Sequence, residues 1–391
     1  MINAIKTTLL LSYICIASIS ATIITPALPQ IQHFFALPKG SVEWIVSIFL
    51  IGYVVGQLIY APIANRYGRL TALRSGLIIN LVGIVICIFS VFFHSFAGLL
   101  AGRLITALGA ASGLSCTLIL INELLPTDRA KQALSLSIVS FTIGVGLSIM
   151  FGSLLTQYGL WQDCFILLFV HGLIMYALTY QFPETLTTPI SIHPKIIASQ
   201  YARAFSHPTV LIFSLALGFT TVFSYCYSAS ASLYTQKILH LSPGRYGYWN
   251  NLNILGMLCG GFLSAYLMKK LSPKAVLLVG LLLVFFALPV LSWMAFFHIN
   301  DIALYFAVSS YLFLTTGILF ASGSYFASNA IPDRASASSV MSFLNMGSAT
   351  LSVIVMGYLP FAIFSAFTAV LCGYFIIVAL CAVYEFRRTA A

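Results

Sequence analysis

The sequence predicts an all-α membrane protein: twelve transmembrane helices in two pseudo-symmetric six-helix bundles, with both termini cytoplasmic. Three observations carry this. Of 391 residues, 60% are hydrophobic and only 7% are charged, with a mean hydropathy of +1.02, whereas ordinary soluble domains carry about 25% charged residues. Apolar runs of the roughly 20 residues needed to cross the hydrocarbon core recur twelve times. Landmarks of the first half return at a near-constant spacing in the second.

Glycine and proline are scattered through the apolar runs, and none of these runs shows the short alternation of an outer-membrane barrel. The spanning elements are therefore expected to be helices, which satisfy their backbone groups within each segment. The expected spans are 7–31, 41–62, 75–93, 96–122, 132–157, 162–182, 208–236, 243–268, 275–297, 300–329, 336–358 and 361–384. In the first, Lys6 precedes an apolar core and "SIS" ending at Ser20 resembles a signal cleavage site, but the apolar run continues to Ile31. An uncleaved helix is expected.

An even number of spans returns the chain to its starting side, and the basic residues choose that side. Fourteen Lys and Arg, from Lys6 to Arg388, fall in segments on the terminal side, against Lys39, Lys237 and Arg245 on the other. The positive-inside rule then sets the termini in the cytoplasm. The formal charge of +10 lies in short clusters between spans, where it meets anionic lipid, so nucleic acid is excluded as a partner. The eight cysteines, nearly all in apolar runs and without CxxC spacing, read as small hydrophobic residues.

Residues 183–207 form the one long polar connection and fall at the midpoint. They divide the chain into an N-terminal bundle, 1–182, and a C-terminal bundle, 208–391, joined by a cytoplasmic linker. Gly52, Gly56 and Arg66 are matched 204 residues later by Gly256, Gly260 and Lys270, and "LPTDRAKQALSLSI" from Leu125 is echoed by "IPDRASASSVMSFL" from Ile331. Two parallel repeats with a substrate site between them near the midplane describe a secondary transporter that rocks one half against the other. No glycine-rich phosphate loop, metal-ligand cluster or nucleophile with a spaced base occurs in the sequence, so neither an enzyme nor a cofactor or metal site is expected.

The stretch "GQLIYAPIANRYGRL" after the second span resembles the turn between helices 2 and 3 of the major facilitator superfamily, in particular its Bcr/CflA branch of drug-efflux proteins. "TPALPQI", "GRLITALGAASG", "FPETL", "LSPGRYGYW" and "ASASSVMSFLNM" extend the resemblance along nearly the whole chain. It implies the superfamily's fold in a bacterial inner membrane and export of drugs or small metabolites against protons. Its expected partners are a small-molecule substrate, protons and the lipid bilayer, with a monomer as the working unit. It also implies a cytoplasmic gate containing Asn65, Arg66, Gly68, Arg69, Glu123 and Asp333. Three departures qualify the pattern: Asn65 stands where an acid is usual, Thr22 stands where many branch members have a helix 1 carboxylate, and no proline lies between Pro126 and Pro183. Asn65 retains capping capacity, but it lacks the charge that Glu123 or Asp333 would then have to supply.

All eight acids lie at span ends or in loops, so no carboxylate sits at the membrane centre. Arg103, inside the fourth span, costs about 2.5–3.5 kcal/mol on insertion scales and matches a family arginine linked to coupling and binding. Glu43 is its expected partner, with a structural arginine bonded to carbonyls as the competing reading. His171 is a further titratable group within a span. In the fifth span Ser140, Gly144, Ser148 and Gly152 recur every four residues; this smooth face is expected to slide against the other half. Thr22, Tyr225, Tyr227, Asn251 and Asn345 are expected at the substrate cavity, because phenols and amides offer polar tips in apolar surroundings.

Overall fold

A computed structural model describes residues 4–189, 194–331 and 334–390. Among them there are twelve helices long and apolar enough to cross a membrane and no strands. In chain order the helices are α1 (Ala4–Thr22), α2 (Leu28–Phe34), α3 (Trp44–Tyr67), α4 (Arg69–Phe92), α5 (Phe96–Leu124), α6 (Thr127–Tyr158), α7 (Asp163–Leu178), α8 (Pro194–Phe205), α9 (Pro208–Lys237), α10 (Pro243–Lys270), α11 (Pro273–Phe296), α12 (Ile302–Asn329), α13 (Arg334–Tyr358) and α14 (Ile363–Ala390). Large apolar side chains stand outward, such as Phe92, Phe286 and Leu380, as lipid as solvent requires.

The first span is not one helix. α1 stops at Thr22 and resumes as α2 after a 3₁₀ turn at Thr25–Ala27 that contains Pro26. Proline lacks an N–H and clashes with the preceding turn, so the last carbonyls of α1 are left without intrahelical donors. Acids and serines at other span ends are used as caps: Ser95, Ser242, Ser272 and Asp301 each accept from a backbone N–H three residues on.

The chain divides into two compact units, Met1–Leu37 with Trp44–His193, and Pro38–Glu43 with Pro194–Ala391. The polar connection thus contributes to both. Its first part stays with the N-terminal unit, while α8 places Ala204 in a small core with Val210, Ala337 and Val340 of the C-terminal unit.

The duplication is visible in packing within each unit. A Cβ on Gly52 would lie 2.5 Å from the Leu104 carbonyl oxygen, and one on Gly56 would lie 2.7 Å from that of Leu108. In the other unit Gly256 meets the Ser310 carbonyl at 2.3 Å and Gly260 that of Leu314 at 2.1 Å. The second helix of each repeat therefore packs backbone to backbone on the fourth. The register is fixed: a shift of 204 relates α3 to α10, and one of 206 relates α5 to α12.

Candidate functional site

The helix break at Pro26 creates the first part of the site. Arg103, on α5 and fully buried, donates from Nη1 to the Ser20 carbonyl at 2.6 Å, from Nη2 to Ala21 at 3.4 Å and from Nε to Ile45 at 3.5 Å. Its guanidinium lies 4.4 Å from the Phe49 ring centroid. Ser20 and Ala21 end α1, so the arginine fork supplies donors that the broken helix cannot. In place of the expected Arg103–Glu43 pair, the described hydrogen bonds of Arg103 go to backbone carbonyls of α1 and α3.

The C-terminal unit carries a neutral counterpart. Shifting Arg103 by 206 gives Ser309, and shifting Phe49 by 204 gives Asn253. Ser309 Oγ donates to Asn253 Oδ1 at 2.9 Å, and Asn253 Nδ2 donates to the Tyr227 hydroxyl at 2.6 Å and to Asn250 Oδ1 at 2.9 Å. All four residues are buried, so Tyr227, expected to line the cavity, instead joins α9, α10 and α12. One repeat ties this junction with a charge, the other with amides and hydroxyls.

A second cluster lies where the turn between α3 and α4 meets the end of α5. Arg69 forms an ion pair with Glu123 at 2.8 Å through Nη2 and donates from Nη1 to the Ala64 carbonyl at 2.9 Å. Thr185 donates its hydroxyl to the other oxygen of Glu123. Glu184 accepts from the N–H groups of Arg69 at 2.8 Å and Leu70 at 3.0 Å, and so caps α4. Gly68, at φ 113°, turns the chain there, a conformation L side chains rarely adopt. Burial alone would raise the Glu184 pKa, but N–H groups of Leu186, Arg69, Thr185 and Leu70 together hold it below the ordinary carboxylate value. Asn65, expected to cap, sits half-buried in the last turn of α3 instead. Arg66 is exposed, and Asp333 lies outside the described residues. The described contacts of the cluster brace the N-terminal unit itself.

A family model described as Major Facilitator Superfamily matches residues 10–356. The chain belongs to the major facilitator superfamily. It is similar to an "Uncharacterized transporter" of Rickettsia bellii, 25% identical over 292 residues that cover 70% of this chain and 68% of the relative. A "Bicyclomycin resistance protein homolog" of Haemophilus influenzae is 21% identical over 66% of this chain and 65% of its own. "Multidrug resistance protein D" of Escherichia coli is 23% identical over 45% and 44%. The match thus spans about two thirds or less of these relatives' length. Among solved structures, a D-xylose-proton symporter superposes with a TM-score of 0.76 at 15% identity, covering 98% of this chain and 97% of that one. A bacterial homologue of the lysosomal transporter Spinster gives 0.69 at 18% identity, covering 97% and 94%. Both show the fold. The family and these relatives are transporters rather than enzymes, and the resistance proteins agree with the Bcr/CflA-type turn.

In this major facilitator the small-residue face of α6 is used differently from expectation. A Cβ on Gly144 would lie 2.9 Å from Cys15 Cβ, and one on Gly152 would lie 2.0 Å from the Ile23 carbonyl oxygen. Ser140 donates to the Leu11 carbonyl at 2.8 Å, and Thr22 meets Ser148 through their hydroxyls. The face seals α6 to α1 within one unit, because α1 offers the complementary backbone. Thr22 is buried in that seam.

In the C-terminal unit Thr221 donates to Asn345 Oδ1 at 2.7 Å, giving the buried amide its partner on α9. Tyr225 is buried, while Asn251 and His171 are half-buried on α10 and α7. Glu43 is buried at the start of α3. Burial raises its pKa above the ordinary 4.5, against a lowering by its own backbone N–H and by Lys237 and Lys39. Glu184, Thr185, Asn253 and Ser309 complete clusters that the sequence reading left incomplete. "FPETL" marked the first two, and the repeat register marks Ser309.

Proposed function

We propose that this transporter exports amphipathic drugs or small metabolites across a bacterial inner membrane by alternating access, in exchange for protons, as a monomer with both termini cytoplasmic. The observation that carries the reading is kinship with the bicyclomycin and multidrug resistance proteins. The fourteen-to-three division of basic residues supports the orientation. Glu43 is the proposed proton carrier: it is buried, faces Lys39 and Lys237, and has a raised pKa. Arg103 acts as a positioning residue that holds α1, α3 and α5 together. Tyr225, Asn251 and Asn345 remain the proposed substrate contacts, and His171 a secondary titratable group. Arg69 and Glu123 stiffen the gate-side ends of α4 and α5.

Uptake or facilitated diffusion of a siderophore or nutrient is the second reading. It is favoured by Thr22, whose hydroxyl is bonded to Ser148 and Ser18 where many branch members place a carboxylate. Ethidium accumulation in cells with and without the protein separates the two by sign: export lowers accumulation, whereas uptake raises it.

A further inference from the structure

Two cations reach the end of α7 within the N-terminal unit. Arg74, in the second turn of α4 and half-buried, donates from Nε to the Thr179 hydroxyl at 2.9 Å and from Nη2 to the Thr179 carbonyl at 3.3 Å. Its guanidinium carbon lies 4.4 Å from the centroid of the Tyr180 ring. Lys6, on α1, donates from Nζ to the Gln181 carbonyl at 3.2 Å. Cations suit the carbonyl end of a helix, but that role uses only part of the Arg74 fork. Among the described residues Nη1 has no hydrogen-bond partner and no carboxylate reaches Arg74. The described acids that approach the start of α4, Glu123 and Glu184, are engaged by Arg69 and by backbone N–H groups.

Apolar stripes lead away from this cation on both helices. Ile78 and Val82 follow Arg74 at four-residue steps on α4, and Val170 and Leu173 precede Tyr180 on one face of α7; each is 45–49% exposed, so they face lipid rather than the core. The two helices pack directly, since a Cβ on Gly172 would lie 2.8 Å from Leu81 Cδ2. Tyr180 is exposed and meets Tyr176 edge to face, with centroids 5.9 Å apart, and phenols favour the membrane–water boundary. One apolar span begins at Arg69 and another ends at Gln181, which sets Arg74 at headgroup depth.

We propose that the Arg74–Tyr180 corner binds an anionic phospholipid, with its phosphate on Arg74 Nη1, Lys6 adding charge beside it, and its acyl chains along the stripes of α4 and α7. A guanidinium held by Thr179 and stacked on a ring is pre-organised for phosphate. The site stands independently of the cargo and direction of transport.

In the test, full-length protein in neutral detergent is mixed with equimolar dioleoylphosphatidylglycerol and dioleoylphosphatidylcholine, and retained lipid is counted by native mass spectrometry. The parent is expected to prefer phosphatidylglycerol, and Arg74→Gln to lower that preference about fivefold. Lys269→Gln, which removes an exposed charge elsewhere, should stay near the parent. Arg74→Lys loses the fork on Thr179 but keeps the charge, so it should retain most of the lipid even where it melts lower. No preference in the parent, an unchanged preference in folded Arg74→Gln, or an equal loss in Lys269→Gln overturns the site. Where Arg74→Gln does not fold, Tyr180→Ala takes its place: a reduced preference supports the site and an unchanged one overturns it. Inorganic phosphate, compared with chloride at matched ionic strength, should not displace the lipid; displacement would mark a site for soluble anions and overturn the lipid assignment.

Discussion

At the residue scale, Arg103 was legible as an outlier because a cation in a lipid-grade span demands a reason. Its partners were not legible, because they are backbone carbonyls, those of Ser20 and Ala21 beside a helix break and that of Ile45 on α3. Replacing Arg103 by Met leaves the Ser20 and Ala21 carbonyls in an apolar interior. Since bonds to charged groups are worth about 1.5–3 kcal/mol each, we expect a loss of roughly 3 kcal/mol, read as a lower melting temperature in detergent. Arg103→Lys should restore part of it, because an ammonium reaches one carbonyl but lacks the fork.

Glu43 gives the second prediction at this scale. A carboxyl whose pKa is raised in one conformation favours that conformation fully below its ordinary value, 4.5, and the advantage is lost as pH rises through the raised value. The buried arrangement of Glu43 is thus favoured by acid and released by alkali, with Lys39 and Lys237 opposing the shift. Glu43→Gln should flatten the pH dependence of transport while leaving protein folded; a pH profile identical to the parent's would remove Glu43 from coupling. Glu184→Ala should cost about 1 kcal/mol through the lost cap of α4. With Glu184 present, its depressed pKa means that stability is intact above 4.5 and declines as pH falls through the lower folded value.

At the scale of elements, the spans were readable because 20-residue apolar runs leave few alternatives. The break between Thr22 and Leu28 is not evident from hydropathy, which continues across the turn, although Pro26 and Pro29 mark it. The α6 face was correctly seen as smooth, but a stripe of small residues does not name the helix that covers it, and α1 proved to be the partner. Asn65 could not cap α4 because α3 runs through it, so Glu184 from the distant "FPETL" segment does so instead. The glycine contacts provide a contrast within one helix. Gly260→Val would push against the Leu314 carbonyl and should destabilise by about 1–3 kcal/mol. Gly261→Val meets open space and should melt like the parent, so equal melting temperatures for the two variants would contradict the α10–α12 packing.

At the scale of the molecule, duplication was the most informative feature of the sequence, because its register carries over to backbone contacts in both units. It also exposes the asymmetry of the two junctions, with Arg103 in one repeat and the Ser309–Asn253–Tyr227 chain in the other. Substrate and direction were not legible, since side chains on many helices set the first and conformational energies the second. The central claim, proton-driven export, is tested most directly in inside-out membrane vesicles with an acidified interior. The account predicts that ethidium accumulates in vesicles containing the protein, that collapsing the pH gradient releases it, and that Glu43→Gln abolishes the gradient-dependent part. Accumulation that is the same with and without the pH gradient, at equal protein content, would contradict it.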